Sequence, residues 1–242
     1  MTRILLRDLE PGRKYYVQAR ANNGDQTSQW SQLWEVETTS DLMPPAVPTG
    51  LTWVVEGTAF KAVWTGPTTN QDGTPLFDFR DFQVKIWSDA NPAAVITYYT
   101  TSARFDLPFE LNVNAFGTPR PQVNFEVRAR DNTGNISAAA TATATNPPPA
   151  NVAGLSVTGI SDAIALRWNA NADEDLKHYE VYQGTALGVT PNLVYTGPGT
   201  SFVFDTISAS PVYFAVRAVD VFGTPSAVDA TESATARSTN PS

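Results

Sequence analysis

The chain contains a single histidine, His178, so any Ser-His-Asp or Cys-His arrangement would have to be built on it. It stands between Lys177 and Tyr179 at the start of a segment in which apolar and polar residues alternate. Because this alternation places Tyr179 on the buried face of a strand, we expect His178 to point to solvent. The sequence therefore predicts no catalytic residue.

Carboxylates are the other candidates for chemistry, since their oxygen atoms bind calcium. The densest cluster, Asp173-Glu174-Asp175, lacks the spaced Asp-x-Asp-x-Asp-Gly pattern of a calcium loop, and a solvated acidic loop is the expectation. The sequence contains neither a glycine-rich phosphate-binding loop nor a set of histidines with metal-ligand spacing. We therefore predict no metal and no cofactor.

The net charge of −8 and the pI near 4.6 argue against two classes of partner. An acidic surface repels the phosphate backbone of nucleic acids and the surface of anionic membranes. No apolar run is long enough to span a bilayer, so membrane insertion is not expected. The chain also has no cysteine, which excludes disulfides and thiolate metal sites.

Aromatic residues at exposed positions are candidates for an interface. Strand alternation turns Trp87 outward, and Tyr98 and Tyr99 follow in the next segment. Phe109 and Phe116 belong to a segment that is too apolar for an ordinary exposed loop. Such rings could stack on sugars, but packing on the sheet or a contact between subunits is the more ordinary use.

The strongest signal is an internal repeat. Trp64 follows a leucine by thirteen positions, and Trp168 does the same. Later in each copy, the alternating run VNFEVRA at 123–129 matches VYFAVRA at 212–218. Short alternating runs separated by turn residues are typical of strands in a β-sandwich. We expect both tryptophans to fill the space between the two sheets.

A third copy is partial and carries a more specific resemblance. Leu9-x-Pro11-Gly12-x-x-Tyr15, followed by alternating small apolar residues, resembles the sixth strand of a fibronectin type III domain. This resemblance implies that Tyr15 forms a tyrosine corner, with its hydroxyl bonded to the chain just upstream. The two complete copies have valine there. The implied fold is all-β, with tandem fibronectin type III (immunoglobulin-like) sandwiches.

The repeat divides the chain into three modules. We predict the C-terminal half of a module at 1–40 (the partial module), a complete one at 45–146 (the middle module) and another at 149–238 (the last module). The proline-rich linkers at 41–45 and 146–149 should act as stiff spacers. Since half a sandwich cannot bury both sheets, we expect either a longer polypeptide or another chain to complete the partial module.

Two loops of the middle module, 65–81 and 108–122, are longer than their counterparts in the last module. In the implied topology the first faces the preceding module and the second faces the following one. They could hold neighbouring modules in a fixed orientation. Alternatively, they could be tolerated insertions, because lengthening a loop costs little entropy.

For function, the run at 41–53 and the segment at 72–79 resemble serial fibronectin type III modules of bacteriophage minor tail or tail-tip proteins. This resemblance implies a non-catalytic structural protein of the virion, a rigid spacer or scaffold for host attachment. Its partners would be other tail proteins, copies of itself in a threefold or sixfold oligomer, and a host surface.

Two alternatives stay open. Residues 127–137 resemble the modules of chitinases and cellulases, which implies a spacer in a secreted bacterial polysaccharide hydrolase. A cell-surface adhesin would bind a protein through its loops or by strand addition. Both place the chain outside the cell and neither assigns it a reaction.

Overall fold

The computed structural model describes residues 6, 9–10, 13–38 and 42–237. Strands dominate because the alternating segments rich in Val, Phe, Thr and Tyr favour a half-buried, pleated backbone. The described part of the chain holds sixteen strands and one helix.

The middle module contains seven of these strands, paired antiparallel in two sheets. Its strands are β3 (Thr49–Glu56), β4 (Ala59–Thr65), β5 (Phe79–Ser88), β6 (Asn91–Thr100), β7 (Arg104–Leu107), β8 (Gln122–Asp131) and β9 (Ala140–Thr145). One sheet has the order β3-β4-β7 and the other β6-β5-β8-β9.

The last module repeats this topology strand for strand. Its strands are β10 (Ser156–Ile160), β11 (Ala163–Arg167), β12 (Leu176–Gly184), β13 (Asn192–Gly197), β14 (Ser201–Asp205), β15 (Val212–Asp220) and β16 (Ala230–Ala234). The sheets have the orders β10-β11-β14 and β13-β12-β15-β16. Three antiparallel strands facing four in this order form a fibronectin type III sandwich. The predicted all-β fold of tandem sandwiches is confirmed.

The partial module contributes one pair of strands, β1 (Lys14–Val17) and β2 (Trp34–Glu37). The hydroxyl of Tyr15 accepts a hydrogen bond from the backbone N–H of Glu10, 2.7 Å away, which is the contact of a tyrosine corner. Pro11 and Gly12 of the same motif lie outside the described residues. The module boundaries 1–40, 45–146 and 149–238 stay predictions.

Each complete sandwich has its own apolar core. In the middle module Trp64 packs edge-on against Phe82, with ring centroids 5.2 Å apart. In the last module Trp168 packs edge-on against Tyr179 at 5.5 Å. The two tryptophans thus lie at equivalent places between their sheets, each almost fully buried.

The two long loops of the middle module lie at opposite ends of its sandwich. The loop at 65–81 pairs with the preceding linker through two backbone bonds, Ala46 N to Thr69 O (3.0 Å) and Gln71 N to Pro44 O (2.9 Å). The loop at 108–122 contains the helix α1 (Phe109–Phe116). Gly117, at φ 76°, ends this helix in the left-handed conformation that glycine adopts without strain.

Candidate functional site

No group of three or more acidic, histidine or cysteine side chains that could hold a metal ion occurs among the described residues. The sequence predicts that His178 points into solvent, and the structure differs. Its side chain is only 17% exposed, and Nε2 lies 3.4 Å from Oε1 of Glu180. Glu180 also binds Arg217 at 2.8 Å, so polar neighbours on the sheet cover the imidazole.

Two of the five candidate interface residues lie on the outer face of the four-stranded sheet of the middle module. Tyr99 is 56% exposed, and the guanidinium of Arg130 stacks on its ring at 4.1 Å. Its hydroxyl accepts a hydrogen bond from Nε2 of Gln83 at 3.3 Å. Trp87 is half-buried beside Asn124. Both rings face outward, and neither meets another module in a described contact.

Tyr98 is half-buried and turned towards the core of its own module, and its place in an interface stays a prediction. Its ring lies 5.1 Å from that of Phe105 and packs against the core of the middle module. Partial burial raises the pKa of its phenol. Because successive residues of a strand point to opposite faces, only one of two adjacent tyrosines can face solvent, and in β6 that residue is Tyr99.

The other two candidates belong to α1. Phe116 is half-buried against the core of its own module. Phe109 instead reaches the last module, where its ring lies 5.4 Å from that of Phe222 in an edge-to-face contact. The loop at 108–122 thus contacts the following module, as its predicted position implies.

The acidic loop of the last module also lies at this junction, and the expectation that it is simply solvated is corrected. Oδ2 of Asp173 accepts a hydrogen bond from the backbone N–H of Ala150, 2.6 Å away. Oδ2 of Asp175 accepts one from Nδ2 of Asn146 at 2.8 Å. The two carboxylates thus accept hydrogen bonds from the linker residue Asn146 and from Ala150, directly after the linker.

Asn146 connects the linker to a second carboxylate. Its Nδ2 also donates to Oδ2 of Asp220, 2.9 Å away, and both side chains are buried. Asp220 is the first residue of the turn between β15 and β16, and its other carboxylate oxygen accepts from the backbone N–H of Thr224 at 2.7 Å. The buried carboxylate is therefore satisfied partly by its own turn and partly by the linker.

The apolar part of the junction comes from the same turn. Phe222 is only 7% exposed, and its ring lies 5.8 Å from that of Phe60 in the middle module. Val221 also packs against the core of the middle module. We use "the junction" for the contact made by Asn146, Asp175 and Asp220 with Val221 and Phe222 on Phe60 and Phe109. Such a site can hold two modules in place.

Sequence reasoning missed Asn146 and Phe222. A signal for Phe222 exists in the repeat. The turn Asp131-Asn-Thr-Gly-Asn of the middle module is polar, whereas Asp220-Val-Phe-Gly-Thr of the last module has two apolar residues at the same positions. Apolar residues in a turn indicate a contact beyond it. No comparable signal marks Asn146.

With the geometry described, comparison with known proteins adds one sequence relationship. No protein-family model matches the chain. It is similar to Exoglucanase B of Cellulomonas fimi. The two are 30% identical over 216 residues, which cover 83% of this chain and 18% of the exoglucanase. The chain thus spans less than a fifth of that relative's length.

Solved structures of fibronectin type III domains also resemble the chain. The FN1–FN3 domains of chicken CNTN1 share 17% identity at a TM-score of 0.35, over 95% of this chain and 80% of that one. A two-domain fibronectin type III segment of chicken tenascin shares 15% identity at a TM-score of 0.41, over 78% of this chain and 98% of that one. No helix in the described residues is long and apolar enough to cross a membrane.

Proposed function

We propose that the chain is a non-catalytic spacer segment of a secreted bacterial polysaccharide hydrolase. The observation that carries this proposal is the similarity to Exoglucanase B. At 216 residues the matched stretch is longer than either complete module, so the similarity extends over serial modules. Because it covers 18% of the exoglucanase, it relates the chain to only a part of such an enzyme.

The structure supports a spacer within this proposal. The described residues form a pair of sandwiches joined by a buried contact. Two modules held end to end keep whatever they connect at a set separation, whereas a flexible linker of similar length samples many separations.

The location follows from the proposed role. A segment of a secreted hydrolase is itself exported, so we place the chain among secreted proteins. The expectation of a virion component, with its tail partners and threefold or sixfold assembly, has no support in these comparisons, and we do not carry it forward. The adhesin alternative likewise gains no supporting observation.

Antibodies against residues 45–237 test the proposal in the source culture. We expect them to detect a polypeptide in the soluble extracellular fraction and to deplete glucan-hydrolysing activity from it, whereas preimmune serum leaves that activity in place. Antigen that sediments with tailed particles would overturn the proposal. So would full glucan-hydrolysing activity in a supernatant from which the antigen has been removed.

A further inference from the structure

We propose that the end of the middle module formed by Phe60 and α1 is a docking surface specific for the turn at 220–224 of the module that follows it. We further infer that this docking makes the two complete modules one cooperative folding unit. The inference concerns how modules recognise their neighbours, and it stands whether or not the parent protein is a hydrolase.

The burial of Phe222 is the first step of the argument. A residue at the tip of a turn is ordinarily exposed, yet Phe222 is 7% exposed and groups with the core of the preceding module. Its ring makes edge-to-face contacts with Phe60 and Phe109, the geometry that aromatic pairs prefer. The turn thus extends the apolar core of a different module.

The docking surface is held in shape from within the middle module. Asn112 of α1 is fully buried, and its side chain bonds the returning loop twice, donating to Arg120 O at 3.0 Å and accepting from Arg120 N at 2.8 Å. These two bonds tie α1 to the end of its own loop, just before β8 begins, and so limit the movement of Phe109 in the first turn of the helix. Phe60, at the start of β4, is fully buried.

Polar contacts set the orientation of the docked turn. Asn146 bonds both Asp175 and Asp220, and the backbone N–H of Val221 donates to Asp175 O at 2.9 Å. On the middle module's side, Gly57 lies close to Glu174 of the last module: a Cβ added at Gly57 would stand 3.5 Å from Oε2 of Glu174. Buried hydrogen bonds have strict geometry, so a turn rotated on the apolar surface would leave Asp220 unsatisfied.

The middle module's own turn could not dock in this way. At the position of Phe222 it has Thr133, whose hydroxyl binds the carboxylate of Asp131 at 2.9 Å. At the position of Thr224 it has Asn135, whose Nδ2 binds the second oxygen of Asp131 at 2.8 Å. In that turn, residues of the turn itself donate hydrogen bonds to both carboxylate oxygens of Asp131. In the last module, Asp220 also needs the hydrogen bond from Asn146 of the linker. The residues of the two turns therefore determine which module can dock on the end of the other.

Calorimetry of the full chain tests the inference. We expect modules 45–146 and 149–238 to unfold in one shared transition. Phe222→Thr, which installs the residue of the middle module's turn, should split this transition and lower the Tm of the middle module by roughly 10 °C. Phe77→Thr is the matched control, because Phe77 lies in the middle module with 92% of its surface exposed.

The milder Val221→Asn supplies the same test should Phe222→Thr fail to fold, and it should lower the same Tm by a few degrees. Separate transitions for the two modules in the wild-type chain would overturn the inference. It would equally be overturned if Phe222→Thr, or Val221→Asn in its place, shifted the Tm no more than Phe77→Thr does.

Discussion

The side-chain amide of Asn146 lies 2.9 Å from the carboxylate of Asp220, joining the end of one sandwich to the first residue of a turn in the next. The equivalent aspartate of the middle module, Asp131, takes its fourth hydrogen bond from Asn135 of its own turn. The last module has Thr224 at the position of Asn135, and the corresponding oxygen of Asp220 is bonded by the linker instead. The linker is bonded at a fixed point, so its stiffness does not rest on proline alone.

Asn146→Ala should lower the free energy of unfolding by about 2 kcal/mol, because it leaves the buried carboxylate of Asp220 with an unfilled acceptor. Urea unfolding of the full chain measures this. Asn192→Ala is the control, since it removes an exposed amide that bonds Gln183 at 3.2 Å, and it should change stability by less than about 0.5 kcal/mol. Equal effects of the two substitutions would show that the Asn146 contact contributes nothing.

Asn112→Ala should cost about 2 kcal/mol, because it removes two part-buried hydrogen bonds that tie α1 to Arg120 at the end of its loop. Asn114→Ala on the same helix alters an exposed side chain and should be neutral or slightly stabilising. Thermal unfolding followed by circular dichroism separates the two. A neutral Asn112→Ala would mean that α1 holds its place without these bonds.

Adjacent tyrosines of β6 provide a matched pair. Tyr98→Ala should destabilise the chain by about 2 kcal/mol, since its half-buried ring packs on Phe105 against the core, while Tyr99→Ala should cost less than about 1 kcal/mol. Denaturant titration of both variants measures the difference. The reverse ranking would show that the side chains of β6 point the other way.

The carboxyl of Glu126 should make stability depend on acid pH. A hydrogen bond from the Arg128 guanidinium at 2.6 Å holds the pKa of Glu126 below its usual 4.5, against partial burial, which raises it. A group whose pKa is lower in the folded chain stabilises the fold above its unfolded pKa and loses that effect as the pH falls through the folded value.

The free energy of unfolding should therefore decrease below about pH 4.5, and Glu126→Gln should flatten part of that decrease. Unfolding curves at several pH values between 3 and 6, roughly spanning the range in which carboxyls titrate, measure the slope. The same slope in Glu126→Gln and the wild type would contradict this assignment.

The sequence predicts the sandwich well because the repeat shows the alternation of apolar and polar residues along each strand, which is a local property. Alternation over 123–129 and 212–218 fixes which residues face inward, and the structure buries Val123, Phe125 and Val127 accordingly. At Tyr98-Tyr99 the sequence indicates partial exposure of both rings without assigning either to a face, and the structure turns Tyr98 to the core side and Tyr99 outward. The spacing of Phe109, Leu111, Val113 and Phe116 fits a short helix only loosely, so the sequence predicts a loop over this segment, where the structure has α1.

The sequence places the loop at 108–122 at the end of the middle module that faces the last one, but the residue pairs of the junction could not be predicted, because they join residues far apart in the sequence. Phe222 meets Phe60 across 162 positions, and nothing local to either residue points to the other. Asn146 reads as a linker residue before proline, since its partners Asp175 and Asp220 become neighbours only once the last module has folded. Function is harder still to predict from the sequence, because this fold serves many roles. The junction described above holds two modules together and does not identify a substrate or a partner.

The most direct test of a rigid junction is a distance measurement across it. The chain has no cysteine, so Thr97→Cys in the middle module and Thr196→Cys in the last, both at exposed strand positions, can carry two spin labels without background labelling. Pulsed electron resonance should give one narrow distance distribution that Phe222→Thr broadens and Phe77→Thr does not. A broad distribution in the otherwise wild-type chain would contradict the account.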